Sequence, residues 1–147
     1  MTYKKSEPEK ILVINDGKHL STIVKGIFVP RAHKEEYKII HVADHKKALE
    51  KIIEGEEILL IIFRIKNGKG AARVFIEDLI KENKKYHLVF VSDKEKDSEI
   101  VYEYKRGYKG HISFYELPLG ILEIQKLHRY TNKLKTAKDK RNEKHKP

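Results

Sequence analysis

Few side chains in this sequence combine the type and spacing that chemistry needs. Asn15-Asp16-Gly17 follows an apolar run and sets one carboxylate at the end of an expected strand. Asp16 reads as a residual metal- or anion-sensing group, or as a strand-end carboxylate paired with a cation such as Arg64 or Lys66. Ser92, followed by Asp93, ends another apolar run and offers either a ligand contact or the hydroxyl that opens a turn. His111 reads as a pH-sensitive switch or as a half-buried aromatic substitute. Asn67-Gly-Lys-Gly70 has the look of a phosphate loop but lacks the leading Gly and the Ser or Thr after Lys. A helix start beside Lys66 and Lys69 would attract at most a loose anion. The eight histidines show no metal-ligand spacing, and the absence of cysteine excludes disulfides and thiolate-bound metals. No metal site and no catalytic group are therefore expected.

The elements that would position these groups alternate regularly. Strands are expected at Lys10 to Ile14, Tyr37 to Val42, Ile58 to Ile62, His87 to Val91 and His111 to Phe114. Helical spacing of apolar residues fills the intervals. It runs through Leu20 to Phe28, through Ala48 to Ile53 behind an Asp44 cap, and through Ala71 to Asn83 with Val74, Phe75, Leu79 and Ile80 inward. A fourth helix spans about Asp97 to Arg106. The last opens at Pro118, carries Leu119, Leu122, Ile124 and Leu127, and has a run-on into the tail open to it. Five strands alternating with five helices require a mostly parallel sheet covered on both faces by right-handed crossovers. In such a sheet the carboxyl end of the central strand is the expected site. Here that strand, Ile58-Leu-Leu-Ile-Ile62, is aliphatic to its last residue.

The 147 residues are long enough for one domain with a substantial core. We expect a polar extension over 1–9, a folded domain over 10–134 and a basic, disordered tail over 135–147. The net charge is +10, and Asn132 to Pro147 holds seven Lys or Arg against two acids. The tail therefore offers Lys133, Lys135, Lys138, Lys140 and Arg141 as a nucleic-acid arm, against the plainer reading of a solvated extension. No apolar run approaches a membrane span, and the polar stretch from Met1 to Lys10 lacks a signal peptide's apolar core. A cytoplasmic location without membrane contact is expected.

From Lys10 to Leu134 the chain resembles the receiver domain of two-component response regulators. The resemblance is carried by Ile11-Leu-Val-Ile-Asn-Asp-Gly17, by Val42-Ala-Asp-His-Lys-Lys-Ala-Leu-Glu-Lys-Ile52, by the length of the Ile62–Gly70 loop, by Ser92 and by Gly107. It implies a flavodoxin-like (βα)5 fold with five parallel strands in the order 2-1-3-4-5. It also implies a phosphorelay, in which an aspartate after strand three accepts a phosphoryl group with the help of Mg2+. Carried over by position, the acidic pair falls on Asn15 and Asp16, the acceptor on Ile62 and the phosphate-contacting hydroxyl on Ser92. The lysine falls on Phe114, with Tyr115 where a proline should follow, and the aromatic switch falls on His111. Ile62 has no nucleophilic oxygen, and shifts of one or two residues give Phe63 or Arg64. Asp16 alone would bind Mg2+ weakly at best, so no cofactor is expected.

The resemblance thus implies a non-enzymatic pseudo-receiver that signals by protein–protein interaction in a phosphorelay or transcription-regulatory setting. Its fourth helix, fifth strand and fifth helix would form the docking or homodimer face, with Tyr104, Arg106, Tyr108 and Tyr115 as interface candidates. The alternatives are a nucleic-acid-associated regulator using the tail, and a small-anion or nucleotide binder on the same fold.

Overall fold

The computed structural model describes residues 8–14, 37–66 and 68–144, leaving aside the side chains of 121, 139 and 141–144. Asn15, Asp16, Asn67 and the helix expected over Leu20 to Phe28 lie outside the described residues. Strands β1 (Glu9–Ile14), β2 (Tyr37–Val42), β3 (Leu60–Arg64), β4 (His87–Ser92) and β5 (His111–Glu116) form one sheet. Every pair is parallel and the order is β2-β1-β3-β4-β5, as the flavodoxin-like reading expects. The described helices are α1 (His45–Ile53), α2 (Gly70–Lys81), α3 (Glu99–Tyr104) and α4 (Ile121–Lys144).

The three inner strands are apolar because both of their faces are covered. Successive side chains alternate across the sheet. Leu12, Ile14, Ile61, Phe63, Leu88 and Phe90 therefore join one core, with Ile52 of α1, Phe75 and Leu79 of α2 and Ile100 of α3. Ile11, Val13, Leu60, Ile62, Val89 and Val91 join the other, against Leu127 of α4. Each fully buried aliphatic side chain contributes about 1.5–3 kcal/mol of transfer free energy. Helix α1 starts as expected, with the Asp44 carboxylate accepting from the Lys47 N–H at 2.9 Å.

Several expected positions shift. Strand β3 begins and ends two residues later than Ile58 to Ile62, because its pairing with β1 matches Leu60 to Ile11 and Phe63 to Ile14. Phe63 is held there between Phe75 and Phe90, with ring centroids 5.6 and 5.5 Å away. In α2 the inward residues are Ala72, Phe75, Ile76 and Leu79, whereas Val74 and Ile80 are exposed. Pro118 precedes α4 rather than opening it. Leu122 points to solvent at 69% exposure, while Leu127, five residues on, is sealed at 1%.

The basic segment over 135–144 is helical, since α4 runs unbroken to Lys144. At about 1.5 Å per residue it is roughly 36 Å long. Polar ties hold it to the sheet. Lys138 Nζ donates to Glu9 Oε2 at 2.8 Å and Glu57 Oε2 at 3.2 Å. The Tyr37 hydroxyl donates to Asn132 Oδ1, and Lys135 Nζ lies 5.8 Å from the centre of the Tyr37 ring. Burial would pull the Lys138 pKa down, but the hydrogen bonds and charges of Glu9 and Glu57 outweigh it and raise it. This contribution is present below the lysine's ordinary 10.5 and is lost as pH rises through the raised value.

A second charged cluster joins α2 to α3. Arg73 bonds Glu103 in a fork, with Nη2 to Oε1 at 2.7 Å and Nε to Oε2 at 2.9 Å. Lys69 Nζ reaches Glu99 Oε2 at 2.8 Å. Hydrogen bonding to Arg73 lowers the Glu103 pKa, and hydrogen bonding to Lys69 lowers that of Glu99. Carboxylates with lowered folded pKa values stabilise above their ordinary 4.5 and lose that contribution as pH falls through the lowered values. The melting temperature should therefore fall below pH 4.5, and the Glu103→Gln variant should show a shallower acid fall than the parent. The orientation of α4 is tested by urea unfolding. Leu127→Ala should cost about 2–5 kcal/mol, and Leu122→Ala under about 0.5 kcal/mol. Equal losses would contradict the packing described.

Candidate functional site

The carboxyl edge of the sheet is where a site was expected. In one row close to that edge, Val42, Ile14, Phe63, Phe90 and Phe114 lie side by side across all five strands. The next row is Arg64, Val91 and Tyr115, and the last pair is Ser92 and Glu116. The residues flanking the tip of β3 are Arg64, half-buried, and Ile65, buried, whose N–H donates to the Val91 carbonyl at 2.8 Å.

These rows correct three placements. Ile62 is two residues short of the strand end and 1% exposed, so the terminal position belongs to Arg64. Phe114 is likewise inside β5 rather than at its end. The proline after that strand is Pro118, which puts Leu117, not Phe114, before it. His111 opens β5 and so lies at the amino edge, on the far side of the sheet from Ser92.

Ser92 is fully buried and its hydroxyl is spoken for. It donates to Asp97 Oδ2 at 2.6 Å and accepts from the Lys94 N–H at 3.1 Å. The plainer of its two readings, a strand-end hydroxyl that opens a turn, is the one seen. Asp97 itself was missed; it is 3% exposed in the short helical turn Glu95–Ser98. Its signal was a carboxylate five residues after the strand-end serine. No group of three or more His, Cys, Asp or Glu among the described residues is placed to hold a metal ion.

The aromatic face also divides. Tyr108 is 4% exposed. Its hydroxyl donates to the Tyr86 carbonyl at 2.8 Å and accepts from the Tyr86 N–H at 2.6 Å. Burial pushes its pKa up to about 12. It is a buried internal clamp. Tyr104 is tied to α2 through Glu77 Oε1 at 2.9 Å, and Tyr115 packs against the second core. Arg106 is exposed, and so is Tyr102, at 77%. Between α3 and β5 lies a cavity of about 590 Å³ lined by Val101, Tyr102, Lys105, Ile112 and Phe114. Of the cations expected on a free arm, Lys135 and Lys138 are engaged in holding α4, and Lys133 and Lys140 are exposed. The side chain of Arg141 lies outside the described residues.

The Ser92–Asp97 bond has a direct test. Ser92→Ala should cost about 1–3 kcal/mol in urea unfolding, because it strands a buried carboxylate. A double-mutant cycle with Asp97→Asn should show coupling of about 0.5–3 kcal/mol. Additive losses would mean that the bond carries no stability.

No protein-family model matches the chain, and no curated protein is similar to it. Solved structures are. A response regulator receiver domain protein from Clostridium thermocellum superposes with a TM-score of 0.66 at 16% identity, over 89% of this chain and 97% of that one. A protein from a family of redox sensors in the streptococci that evolved from two-component response regulators gives a TM-score of 0.66 at 18% identity. There the match covers 95% of this chain and 56% of that one. One chain of the complex of the P1 domain of CheA3 with CheY6 from R. sphaeroides gives 0.60 at 15% identity, over 89% of this chain and 99% of that one. The strand order and these likenesses together show that the chain has the fold of response-regulator receiver domains.

Proposed function

We propose that this protein is a pseudo-receiver: a signalling module that keeps the receiver scaffold, does not accept a phosphoryl group, and acts by binding other proteins. The observation that carries the reading is the tip of β3, where Phe63 is sealed in the core and Arg64 follows it. A phosphoryl acceptor needs a carboxylate there, and neither side chain has one. The cationic Arg64 also suits Mg2+ poorly, since that ion seeks hard oxygen ligands. Asp97, a buried carboxylate in the turn after β4, is already bonded to Ser92. No resident cofactor and no catalysis are assigned to the chain, and its setting is taken to be cytoplasmic. Among the described residues, no helix is long and apolar enough to cross a membrane.

The binding surface follows from exposure. The cavity between α3 and β5 joins the apolar Val101, Ile112 and Phe114 to the exposed ring of Tyr102 and the cation Lys105. Aromatic anchors beside a cationic rim suit a protein interface. The receiver-fold complex with a P1 domain gives a precedent for protein docking on this architecture.

The test is incubation with acetyl phosphate and Mg2+, followed by intact-mass measurement. The pseudo-receiver reading expects no phosphoryl adduct under conditions that phosphorylate an active receiver run alongside. A stoichiometric, hydroxylamine-sensitive adduct would overturn it.

A further inference from the structure

The opposite edge of the sheet holds a second feature that the signalling reading does not use. At the amino ends of β3, β4 and β5 a groove of about 890 Å³ opens between the sheet and α4. Its walls are the segment from Gly55 to Leu59, the loop from Lys84 to His87, the turn from Lys109 to His111, and α4 at Leu134 and Lys138.

The charges in this groove do not cancel. Glu56 is matched by Lys10 Nζ at 3.3 Å and Lys51 Nζ at 3.6 Å, and Glu57 by Lys138 Nζ at 3.2 Å. Lys84, Lys85 and Lys109 pair with no carboxylate among the described residues. Three uncompensated ammonium groups therefore project along one groove, Lys85 and Lys109 exposed and Lys84 half-buried. Such a groove concentrates anions.

Rings follow these cations in the chain. The chain reads Lys84-Lys85-Tyr86-His87 on one wall and Lys109-Gly110-His111 on the other. The His87 and His111 rings lie 5.9 Å apart, each within 5.4–5.6 Å of Tyr130, and His111 is the exposed member of the three. The two walls are fixed to each other before anything binds. The Tyr108 hydroxyl bonds both backbone groups of Tyr86, and the His111 N–H donates to the same Tyr86 carbonyl at 3.2 Å. Gly110 is required at the crossing, because a Cβ there would stand 2.3 Å from the Tyr86 carbonyl oxygen and 2.5 Å from the Tyr108 ring. A preformed groove loses less freedom on binding.

We infer that the groove at the amino edge binds single-stranded nucleic acid, with Lys84, Lys85 and Lys109 on phosphates and the exposed ring of His111 as a stacking platform for a base. Cations tracking a backbone with rings between them are what a strand requires. An acidic peptide would use the lysines and leave the ring idle. A small phosphate ligand would need donors converging on one point, whereas these lie on two separate walls. The surface is also distinct from the exposed cations of α4, so nucleic-acid binding moves from the tail to the folded body.

The test is fluorescence anisotropy of a labelled oligouridylate of about twelve nucleotides with the full chain at about 50 mM salt. The parent should bind. The Lys84→Glu/Lys85→Glu/Lys109→Glu variant should bind at least about tenfold more weakly. In a milder Lys→Gln triple variant the slope of log affinity against log salt should fall by about 2, since each phosphate contact on a single strand contributes about 0.7. His111→Ala should weaken binding by roughly fivefold or more, as loss of one stacked base predicts. Lys46→Glu/Lys47→Glu, reversing two exposed cations on α1, is the charge control and should change affinity by much less than the groove variant. Circular dichroism melting confirms that each variant folds. Absence of binding by the parent, or equal loss in the control, would overturn the inference. So would full competition by ATP or by polyglutamate at matched charge.

Discussion

The structure depends on one constraint: β1, β3 and β4 are buried on both faces from Ile11 to Ile14, Leu60 to Phe63 and Leu88 to Ser92, so the residues of those stretches must satisfy a core. Two cores are built from alternate residues of the same strands, and neither tolerates an unpaired charge. At the carboxyl edge this sets aliphatic and aromatic side chains shoulder to shoulder, from Val42 through Ile14, Phe63 and Phe90 to Phe114. A receiver that transfers phosphoryl groups must interrupt such packing with carboxylates. Here the packing continues along β3 to Phe63, and polar groups near this edge, such as Ser92 and Asp97, hydrogen-bond to each other.

On the proposed reading, the chemistry available lies on the surface. Two places combine shape with exposed side chains: the cavity between α3 and β5, and the groove at the amino edge. Tyr108 serves both. It lines the first, and its hydroxyl fixes the backbone that forms a wall of the second. The helix α4 closes the other side of that groove, held by Lys138 between Glu9 and Glu57. The basic residues that looked like a solvated arm thus divide into those that anchor the helix and those that face water.

Much of the architecture was legible because the inner strands are nearly pure aliphatic runs, and such runs separated by helical spacing admit few topologies. What the runs do not carry is register. Ile58 to Phe63 is apolar throughout, so nothing local says where pairing begins; the match of Leu60 to Ile11 decides it. The same ambiguity displaced the end of β5, where Phe114 and Tyr115 suit a strand interior as well as its tip. Helix faces failed for a related reason. Val74 and Phe75 are adjacent and both apolar, and only contact with Phe63 selects Phe75. The site was least legible, because Asp97, Tyr108 and the groove lysines act through partners distant in sequence. The ties that hold α4 were hidden as well, since Glu9 and Glu57, which receive Lys138, lie 129 and 81 residues away.

The central claim is that the carboxyl edge is packed shut where a receiver would react. Amide NMR of the full chain during titration with Mg2+ and beryllofluoride tests it most directly. The account predicts no saturable shift changes confined to Phe63–Lys66 and Ser92–Lys94. A saturable set of changes clustered on those residues would contradict it.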